Sequence, residues 1–236
     1  MMKMIGESIR HLWISFGTKK NFRYIPIHKI VDNLGIEKSK ALSLFHALSG
    51  CDTTSSSHGR GKKTFWDTWS IFPDLTKSIL NLLEHPGEID QEFTVIEKIF
   101  VLLYDRSSQL EQVDDARQTM YKTSFSLELI PPTKASLYQH VKRSVLQGAF
   151  IWGQCMEKMQ DIPDPTAFGW TLVEDQFEPF WTTLPDYSRH INTTRCGCKV
   201  ACKGRCKCKG NCSLLCTCEG RCKDEKSKQI SMYFYM

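Results

Sequence analysis

Apolar positions between residues 37 and 103 recur with the spacing of α-helices. Between Glu37 and Ser49 they stand at i, i+3, i+4 and i+7, which is one face of a helix. These positions are Ala41, Leu44, Phe45 and Leu48. The pattern predicts an amphipathic helix that packs this face against a core.

Four further segments continue the helical pattern. A helix is predicted to start near Lys62 and to carry Phe65, Trp66 and Trp69, and another to run through "PDLTKSILNLLEH" from Pro73 until Pro86-Gly87. "IDQEFTVIEKIFVLLYDR" is apolar on nearly all sides, which predicts a central, buried helix. "PPTKASLYQHVKRSVLQGAFIWGQ" opens with prolines suited to a first helical turn and predicts about five turns of helix.

The pattern changes after Pro163. "FGWTLVEDQFEPFWTTLPD" combines aromatic residues, prolines and short alternating runs, which favours a hairpin or an irregular packed arm. We therefore expect a mostly α fold, with a helical body to residue 160, an aromatic-rich arm over 161–194, a cysteine-rich module over 195–223 and a tail over 224–236.

The composition and the apolar runs bear on the cellular compartment of the protein. No apolar run approaches the roughly 20 residues of a membrane span, and the start "MMKMIGESIRHLWISFG" lacks the pattern of a signal peptide. We expect an intracellular protein that is neither secreted nor bound to membranes. In a reducing compartment, cysteines bind metal more often than they form disulfides.

Nine of the 11 cysteines lie in the 27 residues "CGCKVACKGRCKCKGNCSLLCTCEGRC". They form three C-x-C-x3-C repeats ten residues apart: Cys196, Cys198, Cys202; Cys206, Cys208, Cys212; Cys216, Cys218, Cys222. A segment with so few aliphatic residues cannot bury a core, so metal–thiolate bonds are the favoured stabilising force.

The ligand count favours three zinc ions. Three tetrahedral ions need twelve sulfur bonds, and nine thiolates supply them if three of the thiolates bridge two ions. A disulfide scaffold is disfavoured because it needs an even cysteine count and an export signal. A metallothionein-like metal store has similar chemistry, but is seldom fused to a helical domain with 6 tryptophans.

The same tail carries the positive charge of the chain. Residues 195–228 hold ten Lys or Arg and three Asp or Glu, a formal +7, whereas the whole chain carries +5. Zinc loading would leave about +4. The cations between the ligands are predicted to contact nucleic acid, with DNA as the favoured partner: Lys199, Lys203, Arg205, Lys207 and Lys209.

The cysteine repeats resemble the tesmin-type CXC domain and the cysteine-rich modules that precede SET methyltransferase domains. The resemblance implies nine cysteines around three zinc ions, and several CXC domains bind DNA. It also implies a nuclear location. The tesmin-type repeats usually carry a tyrosine near the second cysteine cluster, which this segment lacks.

A second motif is "LSGCDTTSSSHGRGKK". Gly59 and Gly61 allow the backbone to approach a ligand, and the helix predicted to follow them begins with Lys62 and Lys63. From the residues alone, a plain connection between two helices remains the more frequent explanation of such a turn.

"IHKIVDNLGIEKSKALSLFHALSGCD" followed by "GRGKK" resembles the structure-specific flap nucleases of the PIN-like superfamily. The resemblance implies that residues 1–72 are part of a PIN-like α/β domain, and the helical pattern predicts a further helical domain over 73–160. The resemblance also implies that Asp52 is a residual ligand of magnesium or manganese, and that Gly59, Arg60, Gly61, Lys62 and Lys63 grip a nucleic-acid backbone. Thr53 and Arg60 differ from the usual residues.

Three hypotheses follow. The first is a zinc-containing, nucleic-acid-binding protein that derives from a PIN-like nuclease and lacks a complete catalytic site, because a two-metal site needs several carboxylates and Asp52 is one. The second is an active nuclease, completed by a missing N-terminal segment. The third is a protein-interaction scaffold with structural zinc. The motif order along the chain also resembles a multicopy family of invertebrate proteins associated with mobile elements.

Some residues are expected to be structural. Cys51 and Cys155 are predicted to be buried thiols. His140, Lys142 and Arg143 are predicted to lie on a solvated helix face, or less readily on a nucleic-acid-binding one. Trp152, Trp170 and Trp181 are expected to pack in a core with neighbouring phenylalanines rather than to stack on bases.

Overall fold

The computed structural model describes residues 10–121 and 129–182. Seven α-helices and two small two-stranded sheets occupy this part of the chain, so the prediction of a mostly α fold is confirmed. No helix within these ranges is both long enough and apolar enough to span a bilayer.

The chain enters the fold through an antiparallel hairpin that the helical pattern did not predict. Strand β1 (Trp13–Phe16) pairs with β2 (Arg23–Pro26), with Ser15 opposite Tyr24 and Phe16 opposite Arg23. A short 3-10 turn (Lys19–Asn21) lies between them.

Helices α1 (Ile27–Leu34) and α2 (Ile36–Leu48) follow directly. Gly35 separates them with a φ of 79°, a left-handed value that glycine adopts without a Cβ penalty. The four apolar residues predicted for one face of α2 are all buried. That prediction is confirmed. The break between the two helices lies at Leu34-Gly35.

The next three helices also lie where the apolar pattern placed helices. They are α3 (Lys62–Ile71), α4 (Asp74–Glu84), which begins after Pro73, and α5 (Ile89–Tyr104). Most of the apolar side chains of α5 are buried, as expected of a central helix. A short helix α6 (Val113–Tyr121) was not predicted.

The long helix predicted from the two prolines onward is shorter and less regular. Helix α7 (Lys134–Val145) begins with Thr133, whose hydroxyl accepts a hydrogen bond from the Ser136 amide. It then continues as a π-helical segment (Leu146–Ile151), where the Trp152 amide bonds to the Gln147 carbonyl. The π segment packs on α2.

Of the two structures expected after Pro163, a hairpin or an irregular packed arm, the hairpin is present. A 3-10 turn (Pro165–Phe168) leads into β3 (Trp170–Val173), which pairs with β4 (Gln176–Pro179). The connecting residues Glu174 and Asp175 both have positive φ, 46° and 62°.

Two units divide the described residues. The first, called the helical unit below, comprises residues 10–116 and 131–180, and the second comprises residues 117–121, 129–130, 181 and 182. The first unit holds a core shared by α2, α3, α4, α5 and α7. Its fully buried large side chains include Leu44, Phe65, Trp69, Ile79, Ile96 and Phe100.

Candidate functional site

The loop between α2 and α3, residues 49–61, is fixed to the helices by side-chain hydrogen bonds. The Thr54 hydroxyl donates to the Ala47 carbonyl at 2.8 Å, and the Thr53 hydroxyl donates to Gln147 Oε1 at 2.7 Å. Gly50 has a φ of 94°, and a Cβ there would lie 2.6 Å from Ser56 Cβ. Glycine is therefore required at the point where the chain leaves α2.

Lys62, at the other end of this loop, ties it back to the end of α2. Its ammonium donates to the carbonyls of His46 and Gly50 and to the hydroxyl of Ser49. Burial lowers the pKa of Lys62, while Cys51 and Asp52 act in the opposite direction. A cation placed on the last carbonyls of α2 also compensates the negative end of the helix dipole. Lys62 is thus engaged with the protein's own backbone.

A cleft of about 480 Å³ opens beside this loop. Asp52 is exposed. The cleft is lined by Asp52 together with His46, Cys51, Thr53, Lys62, Gln147 and Trp152. Within residues 10–121 and 129–182, no three His, Cys, Asp or Glu side chains converge as metal ligands. A two-metal site needs several carboxylates, and in this part of the chain Asp52 has none beside it in the cleft. The residues around Asp52 do not fit a pair of magnesium or manganese ions.

Cys51 is partly exposed rather than buried. Its Sγ lies 3.3 Å from the hydroxyls of both Thr53 and Thr54. Burial disfavours the thiolate, but these hydrogen bonds outweigh burial and bring the pKa of Cys51 below its usual value. The prediction that Cys51 and Cys155 are buried is wrong for both, since Cys155 is exposed.

The Gly59–Lys63 turn presents its backbone to solvent. A Cβ at Gly59 or Gly61 would meet no atom within 4 Å, and Gly59 has a φ of 66°. Arg60 lies over the Tyr104 ring, 5.2 Å from its centroid, and its buried Nε has no hydrogen-bond partner within residues 10–121 and 129–182.

Lys63 differs from Lys62 in its surroundings. Its side chain is 88% exposed and, among the described residues, pairs with Asp67 alone, at 2.9 Å. Arg106 lies 3.8 Å from the same carboxylate, so two exposed cations share one acid next to the turn. Arg106 was missed by the sequence analysis, because it follows α5 and only the fold brings it to α3.

His140 and Arg143 are buried, which corrects the expectation of a solvated helix face. The His140 ring contacts the Leu48 carbonyl and the Ser55 hydroxyl. Arg143 donates to the Gly169 carbonyl at 3.0 Å and lies over the Trp170 ring. These two side chains join α7 to the α2 loop and to the β3–β4 hairpin.

The aromatic arm is less buried than expected. Phe177 and Phe180 are about half exposed, and Trp181 is 76% exposed, so the expected core packing of Trp181 is wrong. Trp152 and Trp170 are partly buried.

The cysteine-rich module lies outside the described residues. This applies to the nine predicted zinc ligands, Cys196, Cys198, Cys202, Cys206, Cys208, Cys212, Cys216, Cys218 and Cys222, and to the cations Lys199, Lys203, Arg205, Lys207 and Lys209. Their roles stay predictions.

Comparisons with protein-family models, curated proteins and solved structures find no match for this chain.

Proposed function

We propose that this chain is a zinc-containing, nucleic-acid-binding protein, in which a three-zinc CXC module contacts the phosphate backbone of DNA. The observation that carries the proposal is the threefold C-x-C-x3-C repeat with Lys or Arg between the ligands. A compact, thiolate-held module with residual positive charge suits counterion release from a polyanion. A nuclear location follows from this function.

The Gly59–Lys63 turn is proposed as a second backbone contact. Support comes from its exposed glycines and from the exposed cations Lys63 and Arg106. Lys62 ties the turn to the end of α2. Its ammonium donates to the carbonyls of His46 and Gly50 and to the Ser49 hydroxyl. The sequence α1, Gly35, α2, Gly-Cys-Asp, α3 supports the proposed descent from a PIN-like nuclease associated with mobile elements.

The proposal assigns no hydrolytic step to Asp52. Phosphodiester cleavage by two metals requires ligands for both ions, and the described residues bring no second carboxylate to the cleft. The active-nuclease alternative would need carboxylates from elsewhere.

The test uses the full chain purified with zinc. We expect three zinc ions per chain by elemental analysis and salt-dependent binding of a fluorescein-labelled 20-bp duplex by anisotropy. Replacing three cations of the module (K203Q/R205Q/K207Q) should weaken duplex binding. The slope of log K against log [salt] should fall by about 0.9 for each phosphate that the module no longer neutralises.

The matched control removes three exposed lysines of the helical body, K40Q/K77Q/K158Q, which changes the net charge equally. It should bind the duplex nearly as the unaltered chain does. Equal weakening in both triple variants would mean that only net charge matters, and a zinc content clearly below three would overturn the trinuclear module.

A further inference from the structure

The β1–β2 hairpin lies in a strongly basic part of the helical unit. Residues 10–31 contain five Lys or Arg, at positions 10, 19, 20, 23 and 29, and no Asp or Glu. Throughout the described ranges, no carboxylate forms an ion pair with Lys19, Lys20 or Arg23. These three cations are grouped at the tip of the hairpin, where the 3-10 turn meets β2.

The same hairpin exposes four large aromatic side chains. The exposed fraction is 52% for Trp13, 55% for Phe16, 50% for Phe22 and 63% for Tyr24. Aromatic rings of this size usually contribute to stability by burial, so four half-exposed rings within twelve residues need another explanation.

The register separates the rings onto two faces. Trp13 and Tyr24 share one face, because Ser15 pairs with Tyr24 and Trp13 lies two residues before Ser15. Phe22 contacts Tyr24 with ring centroids 5.2 Å apart. Phe16 lies on the opposite face, under the Arg23 guanidinium at 5.4 Å. Trp13, Phe22 and Tyr24 therefore share one face, with Lys19 and Lys20 in the turn at its end. Arg23 lies with Phe16 on the other face.

The hairpin is firmly attached at its base. The Ile27 amide, at the start of α1, donates to the Leu12 carbonyl at 3.0 Å, and His28 Nδ1 lies 3.1 Å from the same oxygen. The His28 ring also meets the Trp13 ring, with centroids 5.3 Å apart. The base is thus held to α1, and the turn that carries Lys19 and Lys20 lies at the other end of the hairpin.

We propose that the β1–β2 hairpin binds single-stranded nucleic acid. Lys19 and Lys20 contact phosphates next to the face on which unpaired bases stack on Phe22 and Tyr24. Arg23 contacts a further phosphate from the opposite face. Exposed aromatic rings beside unpaired cations are the combination that single-strand-binding surfaces use, since every base offers a face for stacking. A duplex keeps its bases stacked on one another and leaves these rings without a partner. The inference rests on the proposed function only in taking nucleic acid as the partner, because the hairpin is separate in sequence from the cysteine module.

The test measures anisotropy of fluorescein-labelled dT20 and of the 20-bp duplex with the full, zinc-loaded chain. F22A/Y24A should bind dT20 at least fivefold more weakly per ring removed, by analogy with stacking contacts elsewhere. K19Q/K20Q/R23Q should reduce the single-strand salt slope by about 2. The matched controls are F177A, an equally exposed ring on the other hairpin, and K40Q/K77Q/K158Q.

Each outcome separates this inference from the proposed function. Loss of dT20 binding in the hairpin variants with duplex binding retained supports the inference. Binding of dT20 unchanged in both hairpin variants, or absent from the unaltered chain at 50 mM salt, overturns it. The effect of K203Q/R205Q/K207Q on duplex binding still decides the proposed function.

Two other partners are distinguished in parallel. Sedimentation with phosphatidylserine vesicles tests a lipid surface, and sedimentation velocity tests a second copy of the chain. If F22A/Y24A abolishes either association and leaves dT20 binding intact, the inference is overturned. Far-UV circular dichroism of each variant confirms that α1 and the core are folded. Ultraviolet crosslinking of dT20 should place the modified peptide within residues 11–25.

Discussion

His140 is enclosed by groups that fix its protonation. A carbonyl can only accept, so Nε2 carries the proton that goes to Leu48 at 2.9 Å, and Nδ1 accepts from the Ser55 hydroxyl at 2.8 Å. Burial lowers the pKa of His140 to about 4, with Arg143 acting in the same direction and the Leu48 hydrogen bond opposing it. The neutral ring holds α7 against the end of α2.

Lowering the pH should therefore reduce the free energy of unfolding, because His140 takes up a proton more readily in the unfolded chain than in the folded one. The unfolded chain takes up a proton at His140 near pH 6.5, whereas the folded chain does so only near the lowered pKa of about 4. The stability contribution is complete above pH 6.5 and falls by about 2 kcal/mol on going to pH 5. Urea unfolding followed at 222 nm between pH 7.5 and 4.5 measures this loss.

The control is His140→Gln, which keeps an amide donor but cannot titrate. It should be less stable than the unaltered chain at pH 7 and should lose less stability between pH 7 and pH 5. Parallel pH profiles for the two proteins would contradict the assignment.

The sequence could not predict these burials. "KASLYQHVKRSV" carries its most apolar positions, Leu137, Val141 and Val145, on one stripe, and His140 and Arg143 lie at the edges of that stripe. Whether an edge residue is buried depends on what lies beside it. Here the α2 loop covers His140 and the Gly169 carbonyl meets Arg143. Both partners are more than 20 residues away in sequence.

At the scale of elements, the π-helical segment approaches α2 closely at Gly148. Gly148 lies in that segment, and a Cβ there would lie 2.7 Å from Leu44 Cα and 3.1 Å from Leu44 Cβ. Both partners are buried, so neither can move into solvent. The absence of a side chain at Gly148 is what lets the π segment pack on α2.

Gly148→Ala should destabilise the protein by about 1–3 kcal/mol, because the added methyl overpacks the contact with Leu44. The matched control is Gly87→Ala, where a Cβ would meet nothing within 4 Å. We expect the control to change stability by less than about 0.5 kcal/mol. Urea unfolding at pH 7.5 compares the two variants, and equal stabilities would contradict this account of the segment.

Elements with long periodic apolar faces were predictable, and short exposed ones were not. Helices α2 to α5 were found from their patterns because each buries a stripe in the shared core. The β1–β2 hairpin was missed because its strands have four residues each and most of those residues are exposed, which leaves little alternation between apolar and polar. The sequence that follows α7 still has a helical pattern of apolar residues. Such a pattern does not distinguish π-helical from α-helical hydrogen bonding.

At the scale of the whole molecule, the apolar core of the helical unit contrasts with the thiolate–metal bonds proposed for the cysteine module. The first unit has a continuous apolar core, and no metal-ligand group occurs among the residues the structure describes. The module depends on thiolate–zinc bonds if the proposal is correct. The two parts should therefore respond differently to loss of metal.

Removing zinc with a strong chelator should abolish duplex binding and leave the thermal midpoint of the helical signal at 222 nm nearly unchanged. Circular dichroism and anisotropy on the same chelated sample measure both effects, and adding zinc back should restore binding. A large fall of the helical midpoint on chelation would show that the core depends on metal. Retention of duplex binding by the metal-free chain would count against the module as the DNA contact.

The strained turn between β3 and β4 is expected to lower the free energy needed for local opening of this hairpin. Glu174 and Asp175 both adopt left-handed backbone angles, which asparagine and glycine tolerate better, and each such residue stores about 1 kcal/mol of strain. The strands it joins have only four residues each and are mostly exposed. Amide protons in this hairpin should therefore exchange with solvent through local opening, long before those of α5. The hairpin can open and close many times during the lifetime of a single folded core.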